Sequence, residues 1–227
     1  MLKEPTFTSV IACRGFRFLW ANQILVQLAY NTLNFALIVW VFKLLDSNLA
    51  VSALVLSMYL PVILFGLFAG VFVDLADRKK IIILIDILLA VSFLSFIFIK
   101  QSYPLILLNT FLINSLAQFF MPSESSSIPM MVSKKQLFIA NSLFSLTLYG
   151  SLLVGYSAAG PILNIFGLNA IFVFGAAMLL LAFILAWNLP VLKIERPGRH
   201  YTSTWNLVLD IKSMFNMTLR EAKNTGK

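Results

Sequence analysis

Charged residues cut the chain into long apolar runs. No Asp, Glu, Lys or Arg occurs in Phe18–Phe42, Ser47–Val73 or Gln101–Ser123, and Ile81–Ile99 is interrupted only by Asp86. A helix crossing the bilayer's hydrocarbon core needs about 20 apolar residues, so each run is long enough for one span. Gln136 to Leu192 gives 57 uncharged residues in a row. As one helix this would reach about 85 Å at 1.5 Å per residue, nearly three times the hydrocarbon thickness. It must fold back, and NIFGLN (Asn164–Asn169) is the one polar, glycine-containing place to turn. The pattern predicts an all-α membrane bundle over residues 1–190, with six spans near 18–42, 50–73, 81–99, 104–121, 139–164 and 169–189.

Within these spans the polar residues are periodic. Gln23, Gln27, Asn31 and Asn34 recur at steps of four, four and three, which places four amides on one stripe of the first span. Thr110, Asn114 and Gln118 repeat every four residues in the fourth span, as do Asn141, Ser145 and Tyr149 in the fifth, with Tyr156 further along. Amides are unfavourable against lipid and should face a water-filled cavity or another helix. A shared central cavity and simple helix–helix hydrogen bonding both satisfy that requirement. A cavity so lined carries no fixed charge and suits an amphipathic or weakly charged organic solute better than a small ion. Asp86 is the one ionisable residue expected inside a span; Arg78 or Arg14 could pair with it, or it could carry a proton.

Composition agrees with the pattern. The 227 residues are 60% hydrophobic and 11% charged, with a mean hydropathy of +0.91. Soluble domains carry roughly 25% charged residues, so a water-soluble globule is excluded, as is disorder. The single Cys13 forms no internal disulfide, and the first apolar run, at 25 residues, is too long for the core of a signal peptide. The net charge of +8 has a topological explanation. Fifteen Lys and Arg fall in segments that six spans place on one side of the membrane, against two, Lys43 and Lys100, on the other. This asymmetry predicts both termini in the cytoplasm of a multi-pass protein of the cell (inner or plasma) membrane, and gives no reason to invoke nucleic acid. One His, His200, and no Cys pair leave no metal constellation, and no phosphate-cradling loop is present. Neither an enzyme nor a bound cofactor is expected.

AGVFVDLAD (Ala69–Asp77) and AGPILNIFG (Ala159–Gly167) both read Ala-Gly, then an acid or amide four residues after the Gly, then a turn. The first closes the second span and the other closes the fifth. Three spans lie between, so the copies face opposite sides, as in an inverted repeat of three plus three helices. Gly70 follows Gly66 by four, a small-residue face that another helix backbone can approach. Gly155, Gly160 and Pro161 mark a further packing region in the fifth span. After Gly70 come Asp74, Asp77, Arg78, Lys79 and Lys80; Asp74 can cap or pair with a neighbouring helix, and the basic residues can engage acids or helix C-terminal carbonyls. Such contacts can hold one end of the bundle closed in one state and break in another, or the lysines can simply anchor topology.

GVFVDLADRKK (Gly70–Lys80) resembles the signature loop of the major facilitator superfamily, with Leu75 where the family often has Arg or Lys and Asp77 where it often has Gly. Phe16–Leu37 and Phe119–Ser145 are similar to the first helix and the loop after the fourth in exporters related to the enterobactin and macrolide efflux carriers. VGYSAAGP (Val154–Pro161) is similar to a Gly-rich stretch of proton-driven drug antiporters, with Tyr156 in place of a small residue or Pro. The family's usual acid in the first helix stands here as Asn31. The resemblance implies the N-terminal six-helix half of a twelve-helix secondary transporter that exports a small organic solute by alternating access. Its partners would be the lipid bilayer, the solute, and either the absent C-terminal half or a second copy. The other reading is a truncated membrane remnant or interaction protein that does not transport without a second bundle. Residues 191–227 read as a cytoplasmic linker with an amphipathic helix around Trp205–Phe215.

Overall fold

The computed structural model describes residues 6–190. The predicted linker and amphipathic helix of residues 191–227 lie outside the described residues. A short helix α1 (Phe7–Ile11), started by a Thr6–Ser9 capping box, precedes α2 (Arg14–Leu45), α3 (Asn48–Leu75), α4 (Arg78–Ile99), α5 (Tyr103–Ser125), α6 (Leu137–Phe166) and α7 (Leu168–Trp187). Two 3-10 turns, Ile128–Met130 and Lys134–Gln136, join α5 to α6. Helices α2 to α7 supply six segments long and apolar enough to cross a membrane.

The connections follow from local chemistry. Asp46 adopts a left-handed conformation (φ 47°, ψ 41°) that stops α2, and the Ser47 hydroxyl then accepts the Ala50 N–H at 3.3 Å to start α3. Asp77 caps α4 through the Lys80 N–H at 3.4 Å. A carboxylate there satisfies a helix N-terminal donor, which explains an acid where the resembled family often has Gly. The 57-residue uncharged run folds back at Gly167, whose φ of 79° is open to glycine and strained for other residues.

Packing reveals the internal symmetry. The dominant interfaces are α2 with α6 and α7, α3 with α5, and α4 with α5 and α7. Exchanging α2–α4 with α5–α7 turns α3·α5 into α6·α2 and α4·α5 into α7·α2, while α4·α7 maps onto itself. That is the contact pattern of a three-plus-three repeat. The two short sequence copies also occupy matching environments. Ala69 and Ala159 are fully buried, Val73 and Leu163 are buried behind them, and Asp74 and Asn164 are exposed.

Helix α2 is central, with half of its most apolar stretch buried, against 22% for each of α3 and α6. Lipid tails are as apolar as leucine, so close packing rather than a hydrophobic driving force joins the helices. Phe96 and Phe172 stack at 5.2 Å across α4 and α7, and Gly175 of α7 makes room for the Phe93 ring. The α4·α7 pair is also fastened at both ends. Lys79 at the start of α4 donates to the Trp187 and Leu189 carbonyls at 2.8 and 2.6 Å, and Lys100 after its end donates to Asn169 Oδ1 at 2.6 Å.

Candidate functional site

A cavity of about 260 Å3 opens where α2, α5 and α6 converge. Gln27, Tyr30 and Asn31 line it from α2, Gln118 and Met121 from α5, and Tyr149 and Leu152 from α6. The helical spacing of four, noted in each of these spans, is what turns the polar side chains to a common side. Among the described residues, no Asp, Glu, Lys or Arg lines the cavity. Its polar groups are held by a second layer: the Tyr30 hydroxyl donates to Asn114 Oδ1, Asn114 Nδ2 donates to the Thr110 carbonyl at 2.8 Å, and Gln118 Nε2 donates to the Asn114 carbonyl at 3.3 Å. Asn31 Nδ2 reaches Ser151 Oγ at 3.1 Å, tying α2 to α6.

The other stripe residues lie elsewhere. Gln23 is buried and donates to the Phe144 carbonyl at 3.4 Å, so it joins helices. Asn34 is buried with its Oδ1 lacking a hydrogen-bond donor among the described residues. Asn141 and Ser145 sit on the exposed face of α6, outside the bundle. Gly66 and Gly70 are not sites of close helix approach within these six helices: a Cβ at Gly70 would meet nothing within 4 Å, and one at Gly66 only Gln118 Oε1 at 3.9 Å. Gly160 likewise faces open space, and Pro161 is exposed. Gly155 is the tight contact, with Asn31 Cβ 2.9 Å and the Thr32 backbone nitrogen 3.1 Å from where its own Cβ would be.

At the end of the bundle carrying the α3–α4 turn, Arg78 is nearly buried and bridges three segments. It donates to the Ser126 carbonyl at 2.9 Å and to Met130 Sδ at 3.2 Å, and pairs with Asp74 at 3.4 Å. The Asp74 side chain is 65% exposed, so that ion pair contributes at most about 1 kcal/mol. The partly buried carbonyl contact does more to tie α4 to the end of α5. Lys79 holds the end of α7 as described, so the loop binds the third span to the fourth and the sixth.

Asp86 is fully buried, and its partner is not the expected Arg78 or Arg14 but Asn22, whose Nδ2 donates to Asp86 Oδ2 at 2.7 Å and to the Ala182 carbonyl at 2.8 Å. Asn22 lies one residue off the amide stripe, where periodicity gave no reason to notice it. Glu124 was also missed: it sits in the last turn of α5, buried to 2% exposure, in a segment whose serines read as loop. Asp86 Oδ1 and Glu124 Oε1 accept no hydrogen bond from the described residues.

A six-helix membrane bundle with an internal inverted repeat and a neutral internal cavity has the architecture of secondary transporters. The chain belongs to the Major Facilitator Superfamily, whose sequence profile matches residues 19–218. It is 26% identical over 149 residues to the uncharacterized MFS-type transporter YfiS of Bacillus subtilis (strain 168), covering 66% of this chain and 36% of that one. It is 28% identical over 164 residues to macrolide efflux protein A of Streptococcus pyogenes, covering 69% and 40%. Among solved structures it resembles the POT family transporter PepTSo, with a TM-score of 0.73, 15% identity and coverage of 82% and 40%. It also resembles an auto inhibited POT family peptide transporter, with a TM-score of 0.65, 16% identity and coverage of 84% and 43%. The chain thus spans about two fifths of the length of these relatives.

Proposed function

We propose that these helices form one half of an exporter that moves a small amphipathic organic solute by alternating access. The observation that carries this reading is the uncharged cavity between α2, α5 and α6, walled by Gln27, Asn31, Gln118, Tyr149 and aliphatic side chains. Amides and a phenol can orient a solute, while Met121, Leu148 and Leu152 offer it apolar area. The similarity to macrolide efflux protein A supports export of an organic solute. Asp74, Asp77, Arg78, Lys79 and Lys80 serve as the gate loop, because their contacts span α3, α4, α5 and the end of α7. Proton coupling through an antiporter cycle would use Asp86, the buried acid beside Asn22.

The path needs a second bundle. Helices α3 and α6 are the least buried of the six, and α6 exposes Asn141, Ser145 and Tyr149, which are unfavourable against lipid. A complementary six-helix half, or a second copy, covers that face. The Lys and Arg distribution orients the protein in the cell membrane with both termini cytoplasmic.

Titrating a panel of fluorescent amphipathic solutes onto the chain in nanodiscs tests the cavity. Gln27→Leu and Gln118→Leu should each weaken the best binder by about fivefold to tenfold, as expected for the loss of one hydrogen bond of about 1 kcal/mol. Unchanged binding in both variants would remove the cavity from the reading.

A further inference from the structure

Two apolar grooves flank the first turns of α4. One, of about 570 Å3, lies between α4 and the end of α7 and is walled by Ile83, Leu84, Ile87 and Trp187. The other, of about 390 Å3, lies on the opposite side of α4, against Phe72 of α3 and Phe119 of α5. Asp77, Lys80 and Leu84 belong to both. Leu84 is therefore a ridge between two troughs, and Lys80 stands at the head of each.

We propose that this end of α4 seats one anionic diacyl phospholipid, with its phosphate at Lys79 and Lys80 and one acyl chain in each groove. Charge complementarity selects the occupant. The walls are hydrocarbon, the rim carries two ammonium groups, and an anionic headgroup with apolar chains matches both. Lys79 is positioned by the Trp187 and Leu189 carbonyls at 2.8 and 2.6 Å, which leaves one of its three N–H donors for a phosphate oxygen. Lys80 is exposed. Asp77 offsets part of this charge, but its carboxylate is engaged in capping α4 at the Lys80 N–H. Trp187, exposed at the rim of the larger groove, is a residue type suited to headgroup depth. Two troughs sharing one cation fit two chains on one headgroup better than they fit a single-chain amphiphile. None of this depends on whether the bundle transports anything.

Native mass spectrometry of the purified full chain, equilibrated with phosphatidylglycerol or with phosphatidylcholine of the same acyl chains, tests the seat. Wild-type protein should retain the anionic lipid about fivefold better or more, since one basic residue at the membrane surface contributes a factor of about five. Lys80→Gln should lower that preference about fivefold, while Lys134→Gln and Lys135→Gln, at the same end of the bundle, leave it intact. Leu84→Trp, which puts a bulky ring on the ridge between the troughs, should lower retention of phosphatidylglycerol without lowering the melting temperature. Equal retention of the two lipids by wild type, or a preference left unchanged by Lys80→Gln, would overturn the proposal. So would equal competition from single-chain lysophosphatidylglycerol, or displacement by inorganic phosphate.

Discussion

Adding one methyl group at Gly155 forces α2 and α6 apart, and the structure sets the scale. The Cβ of Gly155→Ala would lie 2.9 Å from Asn31 Cβ, 3.1 Å from the Thr32 backbone nitrogen and 3.3 Å from Thr32 Oγ1. Carbon atoms prefer separations of about 3.5–4.0 Å, so the helices must part locally by roughly half an ångström or more. The nearest atoms belong to the backbone or to the first side-chain carbon of α2, which no rotamer change can withdraw. Overpacking of this kind costs about 1–3 kcal/mol, and replacing a helical glycine by alanine returns about 0.5–1 kcal/mol. The net loss is about 1 kcal/mol, at most about 2.5 kcal/mol, or roughly 2–4 °C in melting temperature for the central value at the scale of a chain of 150–250 residues. Gly70→Ala and Gly160→Ala meet nothing within 4 Å among the described residues and should instead gain a few tenths to 1 kcal/mol. Thermal unfolding of the three purified variants in one detergent, read by size-exclusion recovery, makes the comparison. Equal melting of Gly155→Ala and wild type, with a loss at Gly160→Ala, would refute the packing argument.

The same assay separates the buried polar contacts. Asn22→Leu should cost about 1–3 kcal/mol by leaving the Asp86 carboxylate without its amide donor, whereas Asp86→Asn should cost little because the new amide oxygen still accepts from Asn22. Lys79→Gln, at a half-buried site, should lose about 1 kcal/mol as the end of α7 is released. Reporter fusions at Lys100 and after Lys227 are expected on opposite sides of the membrane; a shared side would contradict both the six-span topology and the charge-based orientation. Asp74→Asn, in a protein carrying both halves of the path, should reduce transport while leaving insertion and expression normal, and wild-type transport would return the loop to a topological anchor.

The presence of six spans was far more legible in the sequence than the way each helix faces. Charge punctuation marked the spans because lipid excludes charge, and Gly167 was readable because a 57-residue apolar run must turn at a polar, flexible point. Rotation about each helix axis was less legible. In water, core-facing and solvent-facing residues differ in polarity, but here both the core and the lipid are apolar. Periodicity thus grouped Asn141, Ser145 and Tyr149 correctly on one face of α6 without revealing that this face is exposed. Gly66 and Gly70 have the same small-residue signature as Gly155, yet only Gly155 meets a neighbouring backbone, a distinction that only helix placement supplies. Asn22 and Glu124 escaped notice because one is off the stripe and the other lies among serines in the last turn of α5.

We propose that these six helices hold one side of a transport path whose other side comes from a second bundle. Efflux of a fluorescent amphipathic dye from cells making only these 227 residues, with chemical crosslinking to report association, tests it most directly. The helices satisfy their own backbone hydrogen bonds, so the chain should insert. As a monomer it should show no saturable efflux, because alternating access needs differential contacts between two bundles in two states. Saturable efflux by a chain shown to be monomeric would contradict the need for a second bundle.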